Sequence, residues 1–336
     1  MRAFVVTGPG VAAVHEVDEP TAGPGDVVVE VSRVGVCGTD VEFFSGDMEY
    51  LLSGHAAYPM RLGHEWCGAV VAVGAGVDPS WVGRRTTGDT MLGCGECRRC
   101  LSGLPYVCED RYEVGVRRGF PGALAERMAY PARCLHPLPD EVDDVAGAMV
   151  EPAGNALRSV HGAALRVGDR VLVAGPGTIG LLVALFARSV GADVHLLGRS
   201  ERSRRFAADL GLSVWTRDTL PDGPWDAVID ASNSPEMPGL AVELVEPGRR
   251  VVFVGLATVP TPVDSRDLLL KDVTAVGILG GSLGLDGAIA AFADGSVDPR
   301  PLVAATVGLD GVASVLAGER PVGAGAGPKI HVDPRV

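Results

Sequence analysis

The chain has no surplus of basic residues. Lysine and arginine number 29 against 42 aspartates and glutamates, a formal net charge of −13 over 336 residues. A phosphate-backbone partner needs a basic face, so no nucleic-acid ligand is expected. Long apolar runs are also missing. The most membrane-like stretch, 171–187, is uncharged between Arg170 and Arg188, but Gly175, Pro176, Gly177 and Gly180 interrupt it. It falls short of the roughly 20 residues of a comfortable span and reads as a buried strand turning into a buried helix. No membrane partner is expected. The opening MRAFVVTGPG lacks the basic start and apolar stretch of a secretion signal, so the expected location is the cytoplasm. Internal repeats, low-complexity tracts and charge blocks are absent as well.

What remains is a globular composition, 47% hydrophobic and 21% charged, with length for two domains. The first ~150 residues are rich in β-branched residues, glycine and proline, with alternating stretches at 26–31 and 69–73 that suggest an irregular, mostly β domain. From Arg170 strand-like runs (170–174, 193–197, 227–230, 250–254, 273–278) alternate with helical ones (178–190, 201–210, 238–245). That alternation implies an α/β unit built on a doubly wound parallel sheet. It stops after Gly281, and the tail is too short for a domain of its own. The expected division is residues 1–153 with 283–336 in one domain and 154–282 in the other.

Four of the seven cysteines, Cys94, Cys97, Cys100 and Cys108, lie within fifteen positions. Without an export signal, clustered thiols point to metal rather than disulfides. Tight Cys-x-x-Cys turns present sulfurs tetrahedrally to zinc, and Gly93, Gly95 and Gly103 supply backbone freedom. Four thiolates leave no place for water, so this site is expected to be structural. A redox Cys-x-x-Cys pair and chance clustering are the alternatives. Cys67 and Cys134 read as packed core.

A second constellation joins Cys37, His64, Glu65 and Glu151. One thiolate, one imidazole and one or two carboxylates could form an open zinc site with room for an exchangeable oxygen ligand. Singly, each has an ordinary reading: a core cysteine, a satisfied histidine, a surface charge, a helix-start acid. Downstream, Gly175-Pro176-Gly177-Thr178-Ile179-Gly180 sits between a strand-like and a helical run, which places a pyrophosphate at a helix N-terminus. The next strand ends in Gly198-Arg199-Ser200 rather than in the acid that holds a ribose diol. Arg202, Arg204 and Arg205 follow. A small residue and a guanidinium suit a 2′-phosphate, so NADP is expected over NAD; a solvated basic helix face is the alternative. Gly255, Leu256 and Leu279 are further expected cofactor contacts.

In order, Val36-Cys37-Gly38-Thr39-Asp40, Leu62-Gly63-His64-Glu65, the four-cysteine lobe, Glu151-Pro152 and the 175–180 loop resemble the zinc-dependent medium-chain alcohol dehydrogenases over essentially the whole chain. The resemblance implies a GroES-like catalytic domain with a Rossmann domain inserted before its C-terminal segment. It implies one catalytic zinc, with Cys37, His64 and Glu151 at ligand positions and Glu65 beside or on the metal, and one structural zinc in the cysteine lobe. Thr39 matches the hydroxyl that begins the family's proton relay. Glu42 stands where many relatives have histidine, a departure shared by some sugar dehydrogenases. The chemistry implied is hydride transfer between a carbinol carbon and nicotinamide, with zinc lowering the alcohol's pKa.

Glu151 suggests the polyol, sugar and threonine branches. The segment Glu151-Pro152-Ala153-Gly154-Asn155-Ala156 is similar to threonine dehydrogenases. Gly63-His64-Glu65-Trp66, Val82-Gly83-Arg84-Arg85 with Gly88-Asp89, and Gly281-Ser282-Leu283-Gly284 with Gly287 resemble aminocyclitol dehydrogenases of aminoglycoside pathways. The expected substrate is a small polar secondary alcohol or ketone of a polyol, sugar or aminocyclitol. A threonine-like amino alcohol and a non-catalytic NADP-binding regulator are the alternatives; a zinc-independent reductase would lack the zinc ligands. His55, Phe43, Phe44 and Met48 either border the pocket or pack ordinarily. The family implies a homodimer or homotetramer, with the 273–279 run as a sheet edge.

Overall fold

The computed structural model describes residues 1–257 and 259–336. Two sheets organise it. The cofactor-type half is a six-stranded parallel sheet in the order Ser213–Trp215, Asp193–Leu197, Arg170–Ala174, Ala227–Asp230, Arg250–Phe253, Thr274–Gly277. The central strands are apolar on both faces because helices cover both. Val171, Val173, Ile229 and Val252 face the helices Val150–Ala163 and Thr178–Ser189. Leu172, Val228 and Val251 face the helix Met237–Leu244 on the other side. Each fully buried valine or leucine contributes about 1.5–3 kcal/mol, so the central strands anchor this half. The strand order reverses between Arg170–Ala174 and Ala227–Asp230, which opens a crevice beyond their C-terminal ends, where such sheets take ligands.

Two elements of this half had no readable pattern. Ser213–Trp215 is only three residues long, and the helix Ser265–Leu270 buries none of its residues. The apolar run at 273–278 is an edge: Thr274–Gly277 pairs on one side only and is largely exposed.

The other half is built on a mixed sheet. Its long strand Asp26–Gly35 pairs antiparallel with Glu65–Val73 and with Arg127–Pro131. Lys329–Val332 lies between Asp26–Gly35 and Val303–Val307, so the chain after the parallel sheet returns to complete this layer. Val27, Val29 and Val31 point into one core with Phe4, Phe43 and Trp66, as period-two alternation requires.

The halves meet where helix Val150–Ala163 crosses the turn at 281–284. A Cβ on Gly154 would come within 2.7 Å of the Gly281 carbonyl oxygen, so the backbones touch without side chains. Among the described residues no helix is long and apolar enough to cross a membrane.

Candidate active site

Cys37 follows strand Asp26–Gly35 and caps helix Gly38–Ser45; its N–H donates to Asp40 Oδ2 at 2.9 Å. His64 and Glu65 enter the adjacent strand, where Glu65 lies opposite Gly35 in the register. Any side chain at Gly35 would strike the Glu65 carboxylate. Gly63, at φ +95°, turns the chain into this strand, and a Cβ there would press on Leu124 N at 2.9 Å.

This register brings one ligand atom each of Cys37, His64 and Glu65 within 4.8 Å of one another. Thiolate, imidazole and carboxylate are a donor set suited to zinc. Glu151 lines the same cleft but stands outside that triad, with Oε1 accepting from Asn155 Nδ2 at 3.1 Å. Burial raises the Glu151 carboxyl above the usual carboxylate range. Burial also raises Asp40, whose Oδ1 lies 3.6 Å from His64 Nδ1 and accepts from Gly63 N at 3.2 Å. His64 is opposed by its own burial, yet the Asp40 charge and then Cys37 outweigh this and lift it well above 6.5.

The roles of two residues here are not legible in the sequence. Asp40 sits inside a recognised motif, but only the fold shows that it braces both Cys37 and the turn before His64. Lys329, one of two lysines in the chain, reaches Glu65 from 264 residues away. Its Nζ donates to both Glu65 oxygens, at 2.8 and 2.6 Å, and to Val36 O at 3.0 Å. Burial would depress this ammonium, but Glu65 and Cys37 outweigh it and hold the lysine above its ordinary value.

The cleft measures ≈ 820 Å³ and is also lined by Thr39, Glu42 and Leu279. Burial, then the nearby Asp47, raises the Glu42 carboxyl. His55 lies outside the lining, its Nδ1 2.9 Å from Ser53 Oγ. Met48 lines the cleft, whereas Phe43 is core.

A second cleft of ≈ 1020 Å³ opens at the crevice of the parallel sheet. Gly175, Gly177, Gly198, Arg199, Ser200, Gly255 and Leu256 line it. Helix Thr178–Ser189 starts at Gly177 with no side-chain cap, leaving its first N–H groups for a ligand. A Cβ on Gly177 would meet open space, whereas one on Gly180 would run into the Gly175 carbonyl. Gly180 therefore permits close packing of the loop. Thr178 opens the helix, and Ile179 faces the zinc-type cleft instead. Arg204 does not line the cofactor-type cleft; its guanidinium donates to the Gly198 and Arg199 carbonyls. Arg217, from the loop after the short strand Ser213–Trp215, does line it.

The four lobe cysteines also converge, one sulfur each within 4.8 Å. Cys94 and Cys100 sulfurs are 3.9 Å apart, Cys97 and Cys108 sulfurs 3.7 Å. Cys67 and Cys134 are buried away from both groups.

Residues 23–140 match the alcohol dehydrogenase GroES-like domain, and residues 178–294 match the zinc-binding dehydrogenase family. The 2-dehydro-3-deoxy-L-galactonate 5-dehydrogenase of Pseudoalteromonas atlantica is 32% identical over 87% of this chain and 87% of its own length. The chain belongs to the zinc-dependent medium-chain alcohol dehydrogenases. The L-threonine 3-dehydrogenase of Streptomyces avermitilis is also 32% identical, covering 95% of this dehydrogenase and 94% of itself. Two solved structures share the fold across 99% of each chain. One is an alcohol dehydrogenase from Escherichia coli complexed with NADH (TM-score 0.90, 26% identity). The other is a zinc-binding dehydrogenase from Sinorhizobium meliloti bound to NADP (TM-score 0.89, 27% identity). The fold is thus a GroES-like domain joined to a Rossmann domain with a parallel sheet, and the dehydrogenase is an NAD(P)-dependent alcohol oxidoreductase.

Proposed function

We propose that this dehydrogenase interconverts a secondary alcohol and a ketone on a polyol or amino-substituted cyclitol, with NADP as the preferred cofactor. One observation carries the reading: the Cys37–His64–Glu65 cluster and the dinucleotide-type cleft share a wall at Leu256. A substrate carbon facing that cluster would sit beside the cofactor's reactive end.

Cys37, His64 and Glu151, with Glu65 alongside, would hold a catalytic zinc; Cys94, Cys97, Cys100 and Cys108 would hold a structural one. Zinc supplies Lewis acidity toward the substrate oxygen, and the nicotinamide exchanges the hydride. The chain's own residues do the rest. Asp40 orients His64 and ties Cys37 to the helix start, and Lys329 neutralises Glu65. Thr39's hydroxyl would accept the substrate's hydroxyl proton as it gives up its own to the next acceptor. Glu42, one helical turn on and facing the same cleft, passes it outward.

Support for an amino-substituted substrate comes from the cleft lining. Glu42, Asp47 and Glu49 line the cleft without a basic partner among its described lining residues, whereas Glu65 and Glu113 are paired with Lys329 and Arg111. Such a field favours a cation and disfavours an anionic sugar acid. Threonine is the second reading, favoured by the relatives' names. For the cofactor, Arg199, Ser200 and Arg217 offer cationic and hydroxyl donors where a 2′-phosphate would lie. A dimer through the exposed edge Thr274–Gly277 is part of the same proposal, supported by the exposed Leu269, Leu270 and Leu279.

The test is a kcat/KM comparison over inositols, aminocyclitols, sorbitol, aldoses and threonine, each with NADP and NAD. Turnover confined to simple primary alcohols would overturn the substrate class, and a strong NAD preference would overturn the cofactor assignment.

A further inference from the structure

The cysteine lobe is wired to the cleft on two sides. On one side the lobe's Tyr106, two residues before Cys108, lies under the Arg158 guanidinium at 4.5 Å from the ring centroid. Arg158 stands on helix Val150–Ala163, two turns beyond Glu151, and the same guanidinium donates to the Gly280 carbonyl. Gly280 is part of the cleft wall. On the other side Arg111, three residues after Cys108, donates to the Cys108 carbonyl at 3.1 Å. Its Nε donates to Glu113 at 2.7 Å, and Nη2 donates to the Tyr50 hydroxyl at 3.3 Å. Glu113 and Tyr50 line the cleft.

We propose that Arg158 and Arg111 are positioning residues that transmit the conformation of the cysteine lobe to two stretches of the substrate cleft's lining, at Gly280 and at Glu113 with Tyr50. The two guanidiniums share a geometry that ordinary packing does not need. Each contacts the lobe within a few residues of Cys108, Arg158 with the face of its guanidinium and Arg111 through Nη1, and each also donates to the cleft lining, Arg158 to Gly280 and Arg111 to Glu113 and Tyr50. Arginine suits the task because its planar fork can stack and donate at once, which a lysine ammonium does not do. Gly280 has no side chain of its own to hold it, and a Cβ there would meet Met91 Sδ at 3.0 Å. Its place against the lobe's base therefore depends on backbone contacts such as the one from Arg158. The lobe contributes to substrate fit, although none of its four sulfurs lines the cleft.

This inference rests on the cleft being the substrate site, so the test includes a readout that needs no turnover. Arg158→Met, Tyr106→Leu and Arg111→Met are compared with wild type by zinc content, by hydrogen exchange of peptides spanning 279–284 and 48–52, and by steady-state kinetics. Arg158→Met and Tyr106→Leu are expected to raise exchange at 279–284 about tenfold, with full zinc retained. They are also expected to raise the alcohol KM about tenfold with kcat changed less than threefold. The double variant should equal either single one, because the two residues act in series. Arg111→Met should loosen 48–52 instead. Tyr106→Phe, which keeps the ring, should behave as wild type. Unchanged exchange at 279–284 in Arg158→Met would overturn the proposal, as would multiplicative effects of Arg158→Met and Tyr106→Leu. If exchange changes as expected but no candidate alcohol is turned over by wild type, the wiring stands and the substrate reading fails.

Discussion

Lys329 Nζ lies 2.6 Å from Glu65 Oε2, and both side chains are almost wholly buried. The pair joins the metal-type cluster to the strand Lys329–Val332. Removing one member of a buried ion pair leaves the other charge without compensation, typically at about 3–5 kcal/mol. Lys329→Met is therefore expected to lower stability by that amount, with a clear fall in thermal midpoint. Adding Glu65→Gln should recover much of the loss. Urea unfolding of both variants checks this, and a Lys329→Met protein as stable as wild type would refute it.

Arg199 lines the dinucleotide-type cleft, whereas Arg204 is turned onto carbonyls. Arg199→Ala is expected to cut kcat/KM with NADP about 10- to 100-fold, the worth of one or two charge-assisted hydrogen bonds. With NAD the same variant should stay within about threefold of wild type, while Arg204→Ala should leave the NADP/NAD ratio unaltered. Placing an acid at Gly198 is no simple switch: a Cβ there would approach Pro176 Cγ to 2.7 Å.

These two cases mark how far the sequence could be read. The strands at 170–174, 193–197 and 227–230 are legible because an apolar run, a glycine turn and a helical period follow one another locally. Ser213–Trp215 is not, since three residues carry no period. In the site, Cys37 and His64 are legible from motif order, and Arg199 from its place after a strand. The Lys329–Glu65 pair arises only when strands 264 residues apart align, a matter of register rather than pattern. The same holds for Arg158: nothing in helix Val150–Ala163 announces that one of its arginines stacks on the cysteine lobe.

His331 is fully buried, and among the described residues neither ring nitrogen has a hydrogen-bond partner. Burial, reinforced by Lys329 and then Arg33, pushes its pKa down to about 3. The fold thus holds the ring neutral, while the unfolded chain protonates it below about 6.5. The stability this group contributes is complete above pH 6.5. It is lost as pH falls from 6.5 toward 3, by roughly 1.4 kcal/mol per unit. His331→Leu should flatten that acid slope and be neutral or stabilising at pH 7. Urea unfolding at pH 7 and pH 5 measures both, and parallel slopes for the two proteins would contradict the prediction.

In the cysteine lobe, Cys94 is exposed and Cys108 is fully buried. Chelation should expose the thiols in that order. Mass spectrometry after treatment with a chelator and then iodoacetamide should find Cys94 alkylated well before Cys108. If the chain holds the two proposed zinc ions, Cys97→Ser is expected to remove one of them. Equal labelling of all four cysteines before chelation would argue against a bound metal.

The parallel sheet uses one unbroken stretch of chain, Arg170 to Gly277, whereas the mixed sheet joins Asp26–Gly35 to Lys329–Val332. On the ribosome the two halves therefore mature out of order. The later-made Rossmann half holds all its strands and can close while synthesis continues. The earlier-made half must wait, its sheet short of two strands and Glu65 without its counter-charge, until Val303–Val307 and Lys329–Val332 have been made. Premature release would leave a well-formed nucleotide-binding unit tethered to an incomplete reaction chamber.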